Sequence, residues 1–276
     1  MHYRRILTIQ DISCLGQCSM TVAHPILSAC GHEVCMLPAA ILSTHTGGFG
    51  NPAVMSLTGM MKSTIDHWRQ NGITFDVILV GYLGSLDAVE IVSEVMDSML
   101  SPGGITIVDP AMADHGRLYS GLSEEYAQAM GNLCRKADVM IPNLTEAAMM
   151  TGSPCGENPN VDQVGQLLNA LECDNVLMTG VSPEEGRTGF ALKTGEEITF
   201  YHHEKVARSF HGTGDMFAAA FTGAYASGKT MADAARIGAE FTLRAIRLTC
   251  ENPAHWYGVK FEEAIPDLLR MLGRLS

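Results

Sequence analysis

The sequence contains little charge. Only 17% of its 276 residues are charged, against about 25% in an average soluble domain, and 46% are hydrophobic. This composition excludes an intrinsically disordered chain and a long coiled coil. Positive charge is especially scarce, because 18 Lys and Arg stand against 30 Asp and Glu, which gives a net charge of −12. We therefore expect no nucleic-acid partner and no anionic membrane surface as a partner.

The sequence also lacks a long hydrophobic run. Its richest apolar stretch, residues 216–226, is well short of the about 20 residues that a membrane-spanning helix needs. Residues 1–9 lead directly into a polar loop and contain no apolar core of a secretion signal. We expect a cytoplasmic protein without a membrane span.

Cysteine pairs at the spacing of a zinc site are absent as well. The eight cysteines include Cys14 and Cys18, with three residues between them, and Cys30 and Cys35, with four between them. Neither pair has the two-residue spacing typical of structural zinc. In a chain of this size, thiols within apolar runs are typical of a reduced, cytosolic protein, and we do not expect these cysteines to bind a metal.

Short runs rich in Val and Ile alternate with segments of helical period, which predicts βαβ units and a parallel sheet. An apolar stripe formed by Val89, Val92, Met96 and Met99 indicates a helix between two such runs. Helices also fit residues 121–136 and 161–172, and residues 153–160 fit a surface loop. The predicted strands span residues 5–10, 34–37, 76–81, 104–109, 138–142 and 175–179.

After Thr179 the pattern changes to an antiparallel hairpin. Residues 188–193 and 197–202 alternate around a turn at Thr194 and Gly195, and helices follow from Thr213 onward. We predict one domain over residues 1–276. Its expected fold class is α/β, with a doubly wound, mostly parallel central sheet, an antiparallel edge hairpin and helices on both faces.

Residues 223–230 fit the Walker A pattern of a P-loop. A P-loop requires a buried strand before its first glycine, whereas residues 215–226 have the composition of a helix. We favour a helix junction, with Gly228 ending one helix and Thr230 capping the next with the help of Asp233.

The segment Gly212-Thr213-Gly214-Asp215 precedes a long Ala-rich helix. Its glycines allow backbone N–H groups to converge, and the helix N-terminus adds a positive dipole, so this segment predicts an anion-binding site. Asp215 falls in the first helical turn, where it could accept a proton from a substrate hydroxyl. An ordinary glycine-rich helix start, with Asp215 stabilised by the dipole, is the alternative.

Further oxygen-bearing side chains follow the predicted strands, at the edge where open α/β sheets bind ligands. Asp109 and Asn143 end two strands, and Thr179 ends a third. Asp114 and Glu146 follow closely. Together they could supply oxygen ligands for Mg²⁺ or its waters and contacts to phosphate. Individually, Asp109 fits a turn before proline, Asn143 a helix cap with Glu146 as its capping-box partner, and Thr179 a strand end.

The order and spacing of Asp109 to Asp114, Pro142-Asn143 with Glu146, and Gly212 to Asp215 resemble the ribokinase superfamily. Within it, three other segments resemble pyridoxal kinases more than sugar kinases or hydroxymethylpyrimidine kinases. These segments are Ile9-Gln10-Asp11 with Gly16, His45-Thr46-Gly47, and Gly81-Tyr82. The resemblance runs over almost the whole chain.

This resemblance implies ATP-dependent phosphorylation of the 5′-hydroxymethyl group of pyridoxal, pyridoxine or pyridoxamine, with Mg²⁺, by a homodimer. It implies that Asp215 is the base and that Gly212, Thr213 and Gly214 form the anion hole. Hydroxymethylpyrimidine kinase and a non-catalytic vitamer-binding protein remain alternatives. The other implied roles are substrate binding for Asp11, His45, Thr46 and Tyr82; nucleotide or phosphate binding for Asp109, Asn143, Glu146 and Thr179; and metal binding for Asp114 and Glu146.

Two positions depart from the family pattern. Asp11 stands where serine is common, at a position expected to contact the polar edge of the pyridine ring. An anionic acceptor there could favour a protonated ring nitrogen or the amine of pyridoxamine. Ile141 stands where relatives often have threonine, which weakens any inference of a monovalent-cation site.

Overall fold

The structure is a computed structural model, and it describes residues 3–153, 156, 159–182 and 184–275. Residues 154, 155, 157 and 158 of the predicted loop 153–160 lie outside this set. The strands are β1 (Arg5–Ile9), β2 (Ile12–Ser13), β3 (Glu33–Met36), β4 (Ala40–Leu42), β5 (Val54–Ser56), β6 (Phe75–Val80), β7 (Leu100–Val108), β8 (Ala113–Asp114), β9 (Arg117–Leu118), β10 (Val139–Met140), β11 (Asn175–Val181), β12 (Arg187–Thr194) and β13 (Glu197–Glu204).

The helices alternate with these strands over most of the described chain. They are α1 (Met20–Ala29), α2 (Thr58–Gln70), α3 (Leu86–Ser98), α4 (Glu124–Arg135), α5 (Leu144–Thr151), α6 (Val161–Ala170), α7 (Thr213–Ala226), α8 (Met231–Cys250) and α9 (Phe261–Met271). None of the described helices combines the length and the apolar character needed to cross a membrane.

Eight strands form the central sheet in the order β13-β12-β11-β10-β7-β6-β1-β3. Neighbours from β3 to β11 are parallel, and β12 and β13 add an antiparallel edge. The predicted doubly wound architecture is therefore confirmed. The strand predicted to begin at residue 104 begins instead at Leu100, because Leu100 pairs with Phe75 ahead of an irregularity in the ladder.

The central strands are buried on both faces, and this explains their continuous apolar runs. Along β6, Val77 and Leu79 belong to one core, whereas Ile78 and Val80 belong to the other. One core packs the sheet against α1, α7, α8 and α9, and the other packs it against α2 to α6. Successive side chains of a central strand thus pack alternately against the helices on one face of the sheet and those on the other.

The Walker-like segment is a helix junction, as predicted. Gly223 lies inside α7, where an added Cβ would overlap the Cys30 side chain. Ser227 is the C-cap of α7, and Gly228 follows with φ 93°. Thr230 caps α8 by accepting the Asp233 N–H at 3.1 Å. A buried strand does not precede Gly223, so the segment cannot wrap a phosphate as a P-loop does.

Two small sheets accompany the central one. β2, β4 and β5 form a three-stranded sheet, and β8 pairs with β9 in a short hairpin. Neither was predicted from the sequence. Both contribute residues to the ligand-binding edge of the central sheet, where the chain leaves β1, β6, β7 and β10.

Candidate active site

All the site residues predicted from the sequence line one cleft at the carboxyl edge of the central sheet. The cleft has a volume of about 750 Å³. The predicted residues among its lining are Asp11, His45, Thr46, Tyr82, Asp109, Asp114, Asn143, Glu146, Thr179, Gly212, Thr213, Gly214 and Asp215. The sheet brings them together because parallel strands all end at this edge.

The loop before α7 is shaped by its first glycine. Gly212 has φ 80°, and an added Cβ would overlap the carbonyl oxygen of Gln17. Only glycine combines this backbone conformation with so close an approach. The loop before α1 therefore lies directly against the start of α7. The first residues of α7 line the cleft, and the first N–H groups of a helix have no partner within the helix.

Asp215 lies in the first turn of α7 and is held by the loop before α1. Its Oδ2 atom accepts the backbone N–H of Ser19 at 2.9 Å. Burial raises the pKa of Asp215 to about 6, with a smaller increase from the charge of Asp11, while the Ser19 hydrogen bond acts in the opposite direction. Asp215 therefore changes protonation close to neutral pH, as a general base should.

Glu146 is buried and fully engaged by the backbone. Its Oε1 accepts the N–H groups of Met112 at 2.8 Å and Ala113 at 3.3 Å, and its Oε2 accepts that of Asn143 at 2.9 Å. The capping box that the sequence left as an alternative is thus formed at the start of α5. Burial raises the pKa of Glu146 to about 7, although these three N–H groups act to lower it.

Asp109 completes the acidic side of the cleft. Its Oδ1 accepts the Ala111 N–H at 3.1 Å. Burial raises the pKa of Asp109 most strongly, and the charges of Glu146 and Asp215 raise it further. Glu146 and Asp215 therefore both repel the charge of Asp109, and a cation or a proton in the cleft would relieve that repulsion.

Three strained backbone positions hold carboxylates of this cleft. Among the described residues, the non-glycine residues with positive φ have values of 51°, 42° and 50°. Each of these residues donates its N–H to a carboxylate of the cleft. In chain order, the pairs are Ser19 with Asp215 at 2.9 Å, Ala111 with Asp109 at 3.1 Å, and His115 with Asp114 at 2.8 Å. Such conformations cost about 1–3 kcal/mol each, and they concentrate at functional sites.

The other side of the cleft carries the residues predicted to bind a substrate ring. Asp11 is only 3% exposed and accepts the Ser13 hydroxyl at 3.0 Å. Burial raises the pKa of Asp11, although the hydroxyls of Ser19 and Ser13 lower it. The N–H of Asp11 donates to the carbonyl of Tyr82 at 3.1 Å, and this bond joins the loops after β1 and β6.

His45 presents an unsatisfied donor. Its Nδ1 accepts the Gly47 N–H at 3.1 Å, so the proton of the neutral ring is on Nε2. Burial lowers the pKa of His45, and the adjacent His211 lowers it further. The Nε2 atom is buried without a hydrogen-bond partner. A ligand acceptor would satisfy it.

Several lining residues were missed by the sequence analysis. His211 directly precedes the predicted anion-binding loop, so its position in the sequence was a usable signal. Arg117 lies on the β8–β9 hairpin and is the only Lys or Arg among the described lining residues. Nothing in the sequence marks it, because strands of two residues show no periodicity. Cys18 and Ser19 also line the cleft, through a backbone conformation that no sequence pattern encodes.

The doubly wound sheet, the glycine-shaped loop at a helix start and the adjacent carboxylate together define a kinase for small molecules, of the ribokinase-like class. Comparisons with known proteins specify the family. The model of the phosphomethylpyrimidine kinase family matches residues 47–259. The chain belongs to this family.

Relatives and solved structures agree with that assignment. A pyridoxine/pyridoxal/pyridoxamine kinase of Bordetella pertussis is 26% identical over 255 residues, which cover 89% of each chain. The crystal structure of a pyridoxal kinase from Lactobacillus plantarum has a TM-score of 0.89 at 29% identity and 97% coverage of both chains. A Leishmania donovani pyridoxal kinase in complex with ADP and pyridoxamine shares the fold, with a TM-score of 0.85 at 21% identity over 96% of this chain and 95% of that one.

The raised pKa of Asp215 predicts that Asp215→Asn stabilises the fold. The folded state prefers the protonated carboxyl, so its charge costs stability above pH about 6, and this cost disappears below the ordinary value of 3.8. We expect the melting temperature of the variant to exceed that of the wild type by ~2–6 °C at pH 8 and to match it near pH 4. Thermal unfolding across this pH range checks the prediction; a gain that does not depend on pH would contradict it.

Proposed function

We propose that this protein transfers the γ-phosphoryl group of ATP to the 5′-hydroxymethyl group of a B6 vitamer. Asp215 removes the proton of the substrate hydroxyl. The hydroxyl oxygen forms the new bond to phosphorus, and the bond between the γ-phosphorus and the bridging oxygen breaks, so that ADP leaves. The N–H groups at Gly212, Thr213 and Gly214 stabilise the charge on the transferred group.

The position of Asp215 is the observation that carries this proposal. Its carboxylate lies in the first turn of α7 with a pKa of about 6 and is fixed by the N–H of Ser19. A protein that only binds a vitamer needs no proton acceptor beside an anion site, which argues against the non-catalytic alternative. The activity of the Bordetella relative and the ligands of the Leishmania structure support ATP and a B6 vitamer as the two substrates.

The nucleotide is bound at the acidic side of the cleft. Asn143 and Asp109 follow strands β10 and β7, and Thr179 lies near the end of the adjacent β11, at an irregularity in its pairing. These three residues contact the phosphates directly or through water. Mg²⁺ neutralises phosphate charge when it is bound there. Oxygen donors suit this ion, but the described residues offer no group of three His, Cys, Asp or Glu side chains that could hold it alone. Asp114 and Glu146 would hold the ion together with phosphate oxygens and water.

The two oxygens of Glu146 already accept three backbone N–H groups. Glu146 can therefore contact the hydrated ion with its remaining lone pairs while it fixes the loop after β7. The vitamer ring is bound on the opposite side of the cleft, by Asp11, His45, Thr46 and Tyr82. His45 supplies its free Nε2–H donor to the ring substituents.

A hydroxymethylpyrimidine is the second candidate substrate, favoured by the description of the matching family model. Both substrates present a primary alcohol on an aromatic nitrogen ring, so the same base and anion loop would serve either. An ADP-release assay with pyridoxal, pyridoxine, pyridoxamine and hydroxymethylpyrimidine separates them. We expect turnover with at least one vitamer at a higher kcat/KM than with the pyrimidine; the reverse order would assign the protein to the second function.

Asp215→Asn should lower kcat by roughly 10²–10⁴ while nucleotide affinity is retained, because a positioned base contributes about that factor. In the wild type, kcat/KM should rise with pH through a midpoint near 6, as Asp215 loses its proton. Steady-state kinetics and nucleotide titration measure both quantities. Lys229→Ala, outside the cleft lining, is the control and should change kcat by less than about threefold. Near-normal turnover of Asp215→Asn would show that another group removes the proton.

Asp11→Ser should change the ranking of the vitamers. If its carboxylate faces the ring, a charge-assisted hydrogen bond worth about 1.5–3 kcal/mol is lost for some substrates and not for others. We expect a change of about tenfold or more in the ratio of kcat/KM between pyridoxamine and pyridoxal. Measurements with all three vitamers at one pH check this. An equal change in kcat/KM for all three vitamers would mean that Asp11 only stabilises the loop after β1, through its hydrogen bond with Ser13.

We further propose that the protein is a homodimer. Strand β5 is the edge of the small sheet, and all its residues are exposed. Val54, Met55 and the nearby Met60 are 64%, 62% and 64% exposed. An apolar edge strand of this kind is a ready surface for a second copy of the chain. A dimer contact here would also support the loop that follows β4 and carries His45.

Met55→Glu should therefore convert a dimer into a monomer, because a charge placed in an apolar interface is costly to bury. Light scattering coupled to size-exclusion chromatography gives the mass of each species. Met149→Glu is the matched control, since Met149 is an exposed methionine on α5 and is not part of this patch. A monomeric wild type, or a dimeric Met55→Glu protein, would disprove this interface.

A further inference from the structure

The loop between α8 and α9 packs against the loop that carries His45. The ring of Trp256 contacts that of Phe49 with centroids 4.6 Å apart, and the ring of Tyr257 lies 5.6 Å from Phe49. Phe49 in turn meets His45 edge-on at 4.9 Å. A continuous row of rings therefore connects the C-terminal region to a side chain that lines the cleft.

The glycines of the His45 loop fit against these rings. Gly48 has φ 84°, and an added Cβ would lie 2.8 Å from the Trp256 ring. On the other side, a Cβ at Gly47 would overlap the ring of His211, next to the anion-binding loop. The loop thus passes between Trp256 and His211, and its path depends on both.

The α8–α9 loop is itself fixed to the active-site framework. Arg208 donates a hydrogen bond to the carbonyl of His255, and its guanidinium lies 4.7 Å from the centre of the Phe210 ring. At the end of the loop, Gly258 packs against Gln17, whose Nε2 donates to the Glu262 carboxylate at 2.9 Å. Trp256 is therefore presented from a rigid base rather than from a free loop.

Trp256 does not line the cleft, and its side chain is not part of either hydrophobic core. The residue is 48% exposed and belongs to neither hydrophobic core. A half-exposed ring contributes little to the stability of the whole fold. The contacts of Trp256 with Phe49 and Gly48 therefore point to a role in the nearby loop.

We propose that Trp256 is a positioning residue for vitamer binding. It holds Phe49 and Gly48, and through them it fixes His45 and Thr46 in the orientation that binds the substrate ring. This inference rests on the proposed function, because it takes the His45 loop as the vitamer side of the cleft. The nucleotide side, at Asn143 and Thr179, has no part in the contact and should be unaffected.

The test is a comparison of KM values in variants of the chain's two tryptophans. Trp256→Ala should raise KM for the vitamer by about three- to tenfold, which corresponds to the loss of an aromatic contact. KM for ATP should change by less than about twofold, and kcat by less than about threefold. Calorimetric titration with pyridoxine in the absence of nucleotide should show the same loss of affinity. Trp256→Phe, which keeps a ring on Phe49, should restore most of it.

Trp68→Phe is the matched control, because Trp68 lies on α2, packs against Phe75 and does not line the cleft. It should leave both KM values unchanged. Equal changes in the two KM values of Trp256→Ala, or none, would overturn the inference while the proposed function stands. If the wild type phosphorylates no vitamer, the proposed function itself is wrong, and this inference is wrong with it. Circular dichroism verifies that each variant is folded.

Discussion

Repulsion among the carboxylates of one cleft is the constraint on which this site depends. Asp109, Glu146 and Asp215 are brought together by the ends of three elements, and burial makes each charge costly. The protein offsets that cost with backbone N–H groups rather than with cationic side chains. Two of these groups, on Ser19 and Ala111, come from residues with unfavourable positive φ, and a third such residue, His115, holds the neighbouring Asp114. Conformational strain is therefore accepted in order to hold the charges in place.

The same arrangement explains how such an acidic cleft can accept a polyphosphate. The start of α7 offers N–H groups and the positive end of a helix dipole on one side. Arg117 lies on the opposite hairpin. The carboxylates between them suit a hydrated cation and one transferable proton.

The sequence predicted the central sheet well, because strands buried on both faces have continuous apolar runs and the β12–β13 hairpin has a clear alternation. It did not predict β2, β4 and β5, since strands of two or three residues have no measurable period. For the site, Asp109, Asn143 and Asp215 could be predicted from their positions after strands or glycines. The engagement of Glu146 by three N–H groups, the conformation of Ser19 and the contact of Trp256 depend on the folded chain and leave no local pattern.

The hydrogen bond from Ser19 to Asp215 joins residues 196 positions apart in the chain. Around it, α1 packs against α7, so the part of α1 that α7 covers stays exposed until α7 has been synthesised. During translation, a nascent chain must keep that part of α1 exposed while roughly 200 residues are added, which is a long interval at ~5–20 residues per second. Long-range pairing of this kind also slows folding. The contact between Ser19 and Asp215 therefore forms only after most of the chain has been synthesised, and a chain terminated before α7 lacks both this contact and the helix that packs on α1.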